Sequence, residues 1–200
     1  MKQIRFNSKR IKSTVILETV RTLNRGGIII YPTETIYGIG GNGLSRSVYD
    51  RIDRIKKRKS DKHYLLLVKN ITMIRKLGLS LTKTALNLAR VFWPGPLTQI
   101  VAAGPAAPEV LLNKTGSLAV RISSLPFILK LFAHINFPLI STSCNLSGSD
   151  SELDKNGCDL ELYCGPLKSR PSTIVDSRFA KPVLIRQGAI PFKKILNEAF

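Results

Sequence analysis

The sequence predicts an α/β protein in which helices pack against a mixed β-sheet. Segments with helical and strand-like hydrophobic patterns alternate along 200 residues, a length that fits one domain, 1–200. Short apolar runs such as residues 28–30 and 138–140 lead directly into polar loops, as buried strands do at the ligand-binding edge of open α/β sheets. Prolines near the ends of many runs argue against a purely parallel sheet and favour a mixed one.

Five helices are predicted from apolar residues recurring at helical spacing. In the first, residues 13–25, Ser13 or Thr14 can cap the amino end and Gly26 with Gly27 ends the helix. The second, residues 45–57, directs its apolar side chains inward and ends at a basic cluster, where the helix dipole favours cations. The other three cover 71–77, 82–92 and 126–133, the last with proline in its first turn.

The strands are predicted from short apolar segments bounded by polar or turn residues. They cover 3–6, 28–31, 64–68, 97–103, 117–122, 139–142, 172–175 and 183–186. Segment 147–170 is polar and weakly patterned, and it is predicted to be a long loop. Residues 38–43 (GIGGNG) match a dinucleotide-binding pattern, but six residues separate them from the preceding strand, so a turn that needs positive φ is favoured.

The charge balance points to an anionic partner. The chain has 31 Lys and Arg against 13 Asp and Glu, a net charge of +18, and much of the excess lies in residues 2–12 and 46–62. Basic surfaces bind nucleic acids by releasing counterions, although compositional drift toward Lys and Arg would give the same total. A membrane partner is disfavoured, because there is no 18-residue apolar stretch and no basic segment with an exposed apolar helix face.

Several function classes are disfavoured by what the sequence lacks. Three cysteines without a CxxC pair fit a reducing cytoplasm, and two histidines offer little to a metal site or a Ser–His–Asp triad, so no protein-held metal is expected. No P-loop or G-x-S-x-G motif is present. The amino-terminal residues lack the apolar region of a secretory signal, while their basic character leaves a transit peptide open.

Two hydroxyl-rich loops and a basic cluster predict an anion site. The loops are residues 31–40 (YPTETIYGIG) and 141–148 (STSCNLSG), and each follows an apolar strand. Between them in sequence lie residues 56–59 (KKRK) and Lys62. Alone, this cluster could be a nucleic-acid patch or a solvated helix end. Between two such loops it is typical of a phosphate clamp, with Arg58 as a fork and Lys56 as a point charge.

Several single residues leave alternatives open. Arg121 lies inside an apolar strand, where a guanidinium is costly unless it meets an anion, either a structural Asp or Glu or a ligand carboxylate. Ser172, Thr173 and Arg186 invite the same interpretation. Cys144 could be a nucleophile, but a small residue that fills space is favoured.

The motifs together resemble the YrdC-like family, the L-threonylcarbamoyladenylate synthases of TsaC type. The resemblance spans residues 28–190, with seven motifs in the family's order, and the length resembles that of the short form. The matching segments are 31–38, 56–58 (K-x-R), 93–98 (WPGPLT), 118–121 (LAVR), 141–148, 171–176 (PSTIVD) and 184–188 (LIRQG).

The resemblance implies an open, twisted mixed sheet with flanking helices and a concave basic surface. It also implies that ATP, L-threonine and bicarbonate or CO2 give L-threonylcarbamoyl-AMP and pyrophosphate, with Mg2+ bound mainly through the ATP phosphates. A separate transferase complex would then modify the adenosine next to the anticodon of tRNA.

Site residues are carried over from the family motif by motif. The resemblance implies that threonine contacts Thr35, Arg121, Ser141 and Ser172, and that the nucleotide contacts Arg58, Lys62, Ser117, Ser143, Ser151 and Arg186. Lys56 and Asn145 belong to the K-x-R and S-x-N signatures and, with Arg58 and Ser143, make up the expected catalytic set.

The sequence departs from the family pattern at four positions. Lys59 stands where Pro usually follows the basic motif, and His63 and Tyr64 replace the usual Pro-Leu, which bears on Lys62. Cys144 replaces the common Ala, a change that should be tolerated sterically.

Two other functions are consistent with the resemblance. One is a non-catalytic protein that binds tRNA or double-stranded RNA on the basic concave face. The intact residues of the threonine site argue against it, because RNA binding does not need them. The other is a carbamoyl-adenylate enzyme of the hydrogenase-maturation type, which would carry zinc-finger segments that this sequence lacks.

Overall fold

A computed structural model describes residues 1–57, 64–111, 115–144 and 155–199. Its strands are β1 (Lys2–Arg5), β2 (Ile29–Tyr31), β3 (Gly38–Gly40), β4 (Leu65–Leu67), β5 (Leu79–Ser80), β6 (Leu97–Ala103), β7 (Ser117–Arg121), β8 (Leu139–Ser143), β9 (Leu160–Tyr163), β10 (Thr173–Asp176) and β11 (Val183–Arg186). Its helices are α1 (Ser13–Asn24), α2 (Arg46–Ile55), α3 (Ile71–Lys76), α4 (Lys83–Phe92), α5 (Pro126–Leu131) and α6 (Phe192–Ala199).

The strands form one mixed sheet, so the predicted fold class is confirmed. Its order is β1-β9-β2-β3-β8-β4-β7-β6-β10-β11, and β5 pairs with β6. Four pairings are parallel: β1 with β9, β2 with β9, β4 with β7, and β6 with β10. The other pairings are antiparallel. The carboxyl end of β2 and the strands β8, β7 and β10, distant in sequence, are therefore held in one framework.

Helices cover both faces of the sheet, and each face has its own apolar core. Consecutive residues of β2 alternate between the two: Ile30 packs in one core and Ile29 with Tyr31 in the other. Helices α2, α3, α4 and α6 contribute to the first core, whereas α1 and α5 contribute to the second. In the part of the chain that the structure describes, no helix has both the length and the apolar character needed to cross a membrane.

The predicted helices are present, with one error at an end. Gly26 adopts a left-handed conformation (φ 72°) after α1, as the predicted stop requires. The amino cap is Lys12, and no side chain caps it, so the prediction that Ser13 or Thr14 caps α1 was wrong. Helix α6 was not predicted; its one fully buried apolar residue, Ile195, is a weak sequence signal.

The predicted loop at 147–170 contains strand β9, which corrects the sequence analysis. Leu160 and Leu162 are buried, and β9 lies between β1 and β2 as a parallel neighbour of both. Its acidic residue Glu161 is also buried, with hydrogen bonds from Gln3 and Lys155 at 2.7 and 2.6 Å. The strand was missed because its one charged residue, Glu161, is satisfied by Gln3, which is remote in sequence, and by Lys155, which lies before the strand.

The glycine-rich segment 38–43 is a strand and its exit, not a turn with positive φ. No glycine in it has positive φ. A Cβ on Gly40 would lie 1.7 Å from the Ile140 carbonyl oxygen, and one on Gly38 would lie 3.2 Å from Ser141 Oγ. These glycines allow β3 to lie close against β8, and they thereby bring the two hydroxyl-rich loops together.

Candidate functional site

A cavity of about 640 Å³ lies where the two hydroxyl-rich loops meet the sheet. Its walls come from the loop after β2, from β8, and from the strands β6, β7, β10 and β11. Six of the predicted site residues line it: Thr35, Arg121, Ser141, Ser143, Ser172 and Arg186. Among the described lining residues there are two arginines and no Asp or Glu, which favours an anionic ligand.

The loop after β2 is organised by Thr33. Its hydroxyl donates to the Ile36 carbonyl at 2.7 Å and accepts the backbone N–H groups of Thr35 and Ile36, each at 3.2 Å. The Thr33 and Thr35 hydroxyls are 2.9 Å apart. Such side-chain bonds fix a turn that strand pairing does not hold, so Thr35 is presented to the cavity from a defined backbone.

Arg121 lies at the end of the central strand β7, and its side chain is 2% exposed. Its Nε is 3.7 Å from Glu34 Oε1, and its Nη1 donates to the Thr35 hydroxyl at 3.5 Å. Burial lowers the pKa of the Arg121 guanidinium, while the charge of Glu34 opposes that shift. The sequence left two partners open for Arg121, a structural acid and a ligand carboxylate. The structure shows an acidic partner, Glu34, and it also places Arg121 in the cavity wall.

Ser172 and Arg186 line another part of the cavity. The Ser172 and Thr98 hydroxyls are 2.9 Å apart, which joins the start of β10 to β6. Arg186 Nη2 donates to the Ser172 carbonyl at 2.9 Å and to its hydroxyl at 3.3 Å. Partial desolvation and the positive charge of Arg121 lower the pKa of Arg186. An anion between the two guanidiniums would relieve that repulsion.

Strand β8 supplies Ser141 and Ser143, with a buried lysine behind them. Lys56, which caps the carboxyl end of α2, is 3% exposed, and its Nζ donates to the Ser143 carbonyl at 2.6 Å. Lys56 is not among the described lining residues, and this hydrogen bond links it to the backbone of β8, which lines the cavity. The Tyr31 hydroxyl donates to the neighbouring Ile140 carbonyl at 2.9 Å, and burial raises the pKa of Tyr31.

Ser117, the remaining predicted nucleotide contact that the structure describes, is not among the described residues that line the cavity. Ser117 begins β7 and is buried, and its hydroxyl lies 2.7 Å from the Thr115 hydroxyl. It is on the same strand face as Arg121. Arg58, Lys62, Asn145 and Ser151 fall outside the described residues, as do Lys59 and His63 among the departures.

Sequence reasoning missed several residues of the site. Thr98 and Tyr37 line the cavity, and both stood inside motifs that were recognised as segments rather than residue by residue. Tyr64, one of the departures, also lines it. Its ring lies 5.9 Å from that of Tyr49 and its hydroxyl donates to Asp53 of α2, so this larger side chain is accommodated in the described structure.

The chain is similar in sequence to a known family and to named proteins within it. A family model named for Sua5, YciO and YrdC, with the description "Telomere recombination", matches residues 21–188. A threonylcarbamoyl-AMP synthase of Vibrio vulnificus is 33% identical over 183 residues, which cover 86% of this chain and 97% of that protein. One of Pyrococcus abyssi is 28% identical over 94% of this chain, but the match spans only 58% of that longer protein.

A solved structure shares the fold. The crystal structure of P. abyssi Sua5 complexed with L-threonine superposes with a TM-score of 0.86 at 27% identity, covering 99% of this chain and 61% of that one. The family model covers most of the chain and the fold agrees with a solved member. The chain therefore belongs to the Sua5/YciO/YrdC family.

Proposed function

We propose that this protein is a threonylcarbamoyl-AMP synthase, which makes L-threonylcarbamoyl-AMP and pyrophosphate from ATP, L-threonine and bicarbonate or CO2. The observation that carries the proposal is the cavity wall with two arginines, a set of hydroxyls and no described acid. Such a wall suits a small carboxylate beside a polyphosphate. The relatives that bear the enzyme's name support it, as does the threonine complex of P. abyssi Sua5.

Threonine would bind at the buried wall. Its carboxylate would pair with Arg121, and its hydroxyl and amine would lie among Thr35, Ser141 and Ser172, whose side chains face the same space. Bidentate pairing of a guanidinium with a carboxylate fixes both distance and orientation, which a catalyst of group transfer needs.

ATP would bind toward Arg186 and Ser143, with Arg58, Lys62, Ser117 and Ser151 as further nucleotide contacts. Lys56 and Asn145 complete the set carried by the family motifs. The described wall offers hydroxyls and no carboxylate, so Mg2+ that accompanies ATP would be held mainly by phosphate oxygens. It would supply charge neutralisation at the phosphates.

The chemistry needs positioning rather than a covalent nucleophile. The threonine amine and CO2 give a carbamate, whose oxygen attacks the α-phosphorus of ATP. A new P–O bond forms as the bond to pyrophosphate breaks. Fixed cations stabilise the charge that develops on the phosphate oxygens and on the leaving group, and the wall keeps the carbamate in line.

Mass spectrometry of the purified protein incubated with ATP, Mg2+, L-threonine and bicarbonate tests the proposal. A threonylcarbamoyl-AMP peak is expected, and it should vanish when either threonine or bicarbonate is omitted. Folded protein that yields no such product under these conditions would contradict it. Variants Lys56→Ala and Arg58→Ala should fold but lose activity.

The product would serve a downstream threonylcarbamoyl transferase complex that modifies tRNA. Direct binding of tRNA or double-stranded RNA to a basic concave face is a second candidate, supported by the net charge of +18. Affinity for tRNA should then fall steeply with salt, because binding releases counterions. Salt-independent binding would contradict this second role.

A further inference from the structure

Glu34 lies behind the cavity wall rather than in it. Its side chain is 12% exposed, and it is not among the lining residues. Ser123 Oγ donates to its Oε2 at 2.5 Å. Its Oε1 faces Arg121 Nε at 3.7 Å, and neither of these two buried atoms has a hydrogen-bond partner in the part of the chain that the structure describes.

This carboxylate joins two parts of the sheet that are not neighbours. Glu34 belongs to the loop after β2, whereas Arg121 and Ser123 belong to β7 and the turn after it, and three strands separate β2 from β7 in the sheet. The Ser123 hydroxyl also accepts the Leu125 backbone N–H at 3.2 Å, which fixes its position before α5. Glu34 is thus anchored on one oxygen and directs the other toward the guanidinium.

A purely structural ion pair would be expected to make direct hydrogen bonds, because burying two charges is costly unless their polar atoms are satisfied. Here the charges are within ion-pair distance, but the hydrogen bond is not made. Glu34 approaches Nε, so the terminal amino groups of Arg121 stay outside this pair, and one of them reaches Thr35. The carboxylate holds the guanidinium in place without consuming those donors.

We infer that Glu34 is a positioning residue for amino-acid binding. Its carboxylate holds the Arg121 guanidinium against the cavity wall, so that the substrate carboxylate meets donors that are already oriented. This inference rests on the proposed function, because it assigns threonine to Arg121. Glu34 does not touch the substrate and acts only through the arginine.

The Glu34 carboxylate has a second and opposite effect on the ligand. The Glu34 charge also repels a ligand carboxylate, so its removal could strengthen threonine binding. Positioning should dominate, because a buried arginine without its acid either leaves the wall or stays as an unpaired charge. A guanidinium that leaves the wall no longer presents its donors to the ligand, and one that stays without Glu34 is no longer held in a fixed orientation.

The test measures L-threonine binding by isothermal titration calorimetry and the KM for ATP by mass spectrometry of the product. The variants are Glu34→Gln, Glu34→Asp and the matched control Glu161→Gln, which alters a buried ion-paired acid outside the cavity. Glu34→Gln should weaken threonine binding by about tenfold or more with little change in the KM for ATP. Glu34→Asp should bind threonine with intermediate affinity, and Glu161→Gln should bind it like the wild type.

Several results would overturn the inference. The first is unchanged or tighter threonine binding by Glu34→Gln. The second is a loss of threonine affinity matched by an equal rise in the KM for ATP, which indicates a structural role. If Glu34→Gln does not fold, Ser123→Ala, which removes the anchor on Oε2, should still weaken threonine binding selectively, and unchanged binding by it would count against the inference. If the wild type binds no threonine and makes no adenylate, the proposed function itself fails; if it does both, only the role of Glu34 is in question.

Discussion

The two arginines of the cavity are held in different ways. Arg121 is on a central strand, is 2% exposed, and has an acidic partner within ion-pair distance. Arg186 is on the edge strand β11, is exposed, and is held by the carbonyl and hydroxyl of Ser172. One guanidinium is therefore fixed by charge within the protein interior, and the other by neutral dipoles at the solvent boundary.

This difference teaches which ligand group each arginine suits. A buried, oriented guanidinium is already desolvated in the folded protein. It can therefore select a small carboxylate ligand by geometry. An exposed arginine on an edge strand can follow a larger, flexible anion such as a polyphosphate, and water screens its contribution. Variants of the two arginines separate these two modes of binding.

Arg121→Met should have the largest effect. It removes the guanidinium that we propose to bind the threonine carboxylate, and kcat/KM for threonine should fall by about 100-fold or more, the equivalent of losing a buried charged hydrogen bond. The folded protein should also lose about 3 kcal/mol of stability, because Glu34 is left without its counter-charge. Threonine titrations and thermal unfolding measure the two effects.

The double variant Arg121→Met, Glu34→Gln is the matched control. It removes the buried acid together with the arginine, so stability should partly recover while threonine binding stays lost. Recovery of threonine binding in the double variant would show that Arg121 does not contact the substrate.

Arg186→Ala should have the next largest effect, and mainly on ATP. The KM for ATP should rise by about tenfold because the proposed phosphate contact is lost. The KM for threonine should rise less, because the Ser172 hydroxyl keeps its contact with Thr98. Stability should stay within about 0.5 kcal/mol, since the residue is exposed on an edge strand. Lys181→Ala removes an exposed cation from the connection between β10 and β11, outside the lining, and should leave both KM values as in the wild type. Equal effects of the two variants would indicate a general charge effect.

Thr98→Val should have a smaller effect on the same wall. It keeps the shape of a fully buried side chain but removes the contact with the Ser172 hydroxyl, worth about 1 kcal/mol. The expected result is a several-fold rise in the KM for threonine.

Thr84→Val is the control, since Thr84 is also buried and hydrogen-bonded, to the Ala180 carbonyl, but lies outside the cavity. It should lose similar stability and keep full activity. If both variants keep full activity, Ser172 does not need Thr98.

The fold and the buried wall could be predicted to different degrees. The family, the fold class and most elements followed from apolar patterns and motifs. Strand β9 did not, because it is a short apolar run interrupted by Glu161 within a polar segment, and the partners that satisfy this carboxylate are set by tertiary structure. The role of the glycines at 38–43 was also misassigned, because a close approach of two strands leaves no local signal that differs from a turn.

The same limit applies to the site. Thr35, Arg121, Ser141 and Ser172 were predicted, and the structure places them on one cavity, although their roles stay predictions. Glu34 and Thr98 were not singled out, since a motif gives residue types but not which side chain supports which. Only the distances across the sheet show that Glu34 meets Arg121 and that Thr98 meets Ser172.

The smallest expected effect is a difference in salt dependence between the ligand contacts of the two arginines. Raising KCl from about 0.1 M to about 1 M shortens the Debye length from about 10 Å to about 3 Å. The exposed contact of Arg186 should weaken more than the buried contact of Arg121, so the KM for ATP should rise several-fold more than that for threonine. In Arg186→Ala the extra salt dependence of ATP should shrink. An equal salt dependence of both substrates in the wild type would mean that burial does not distinguish the two arginines.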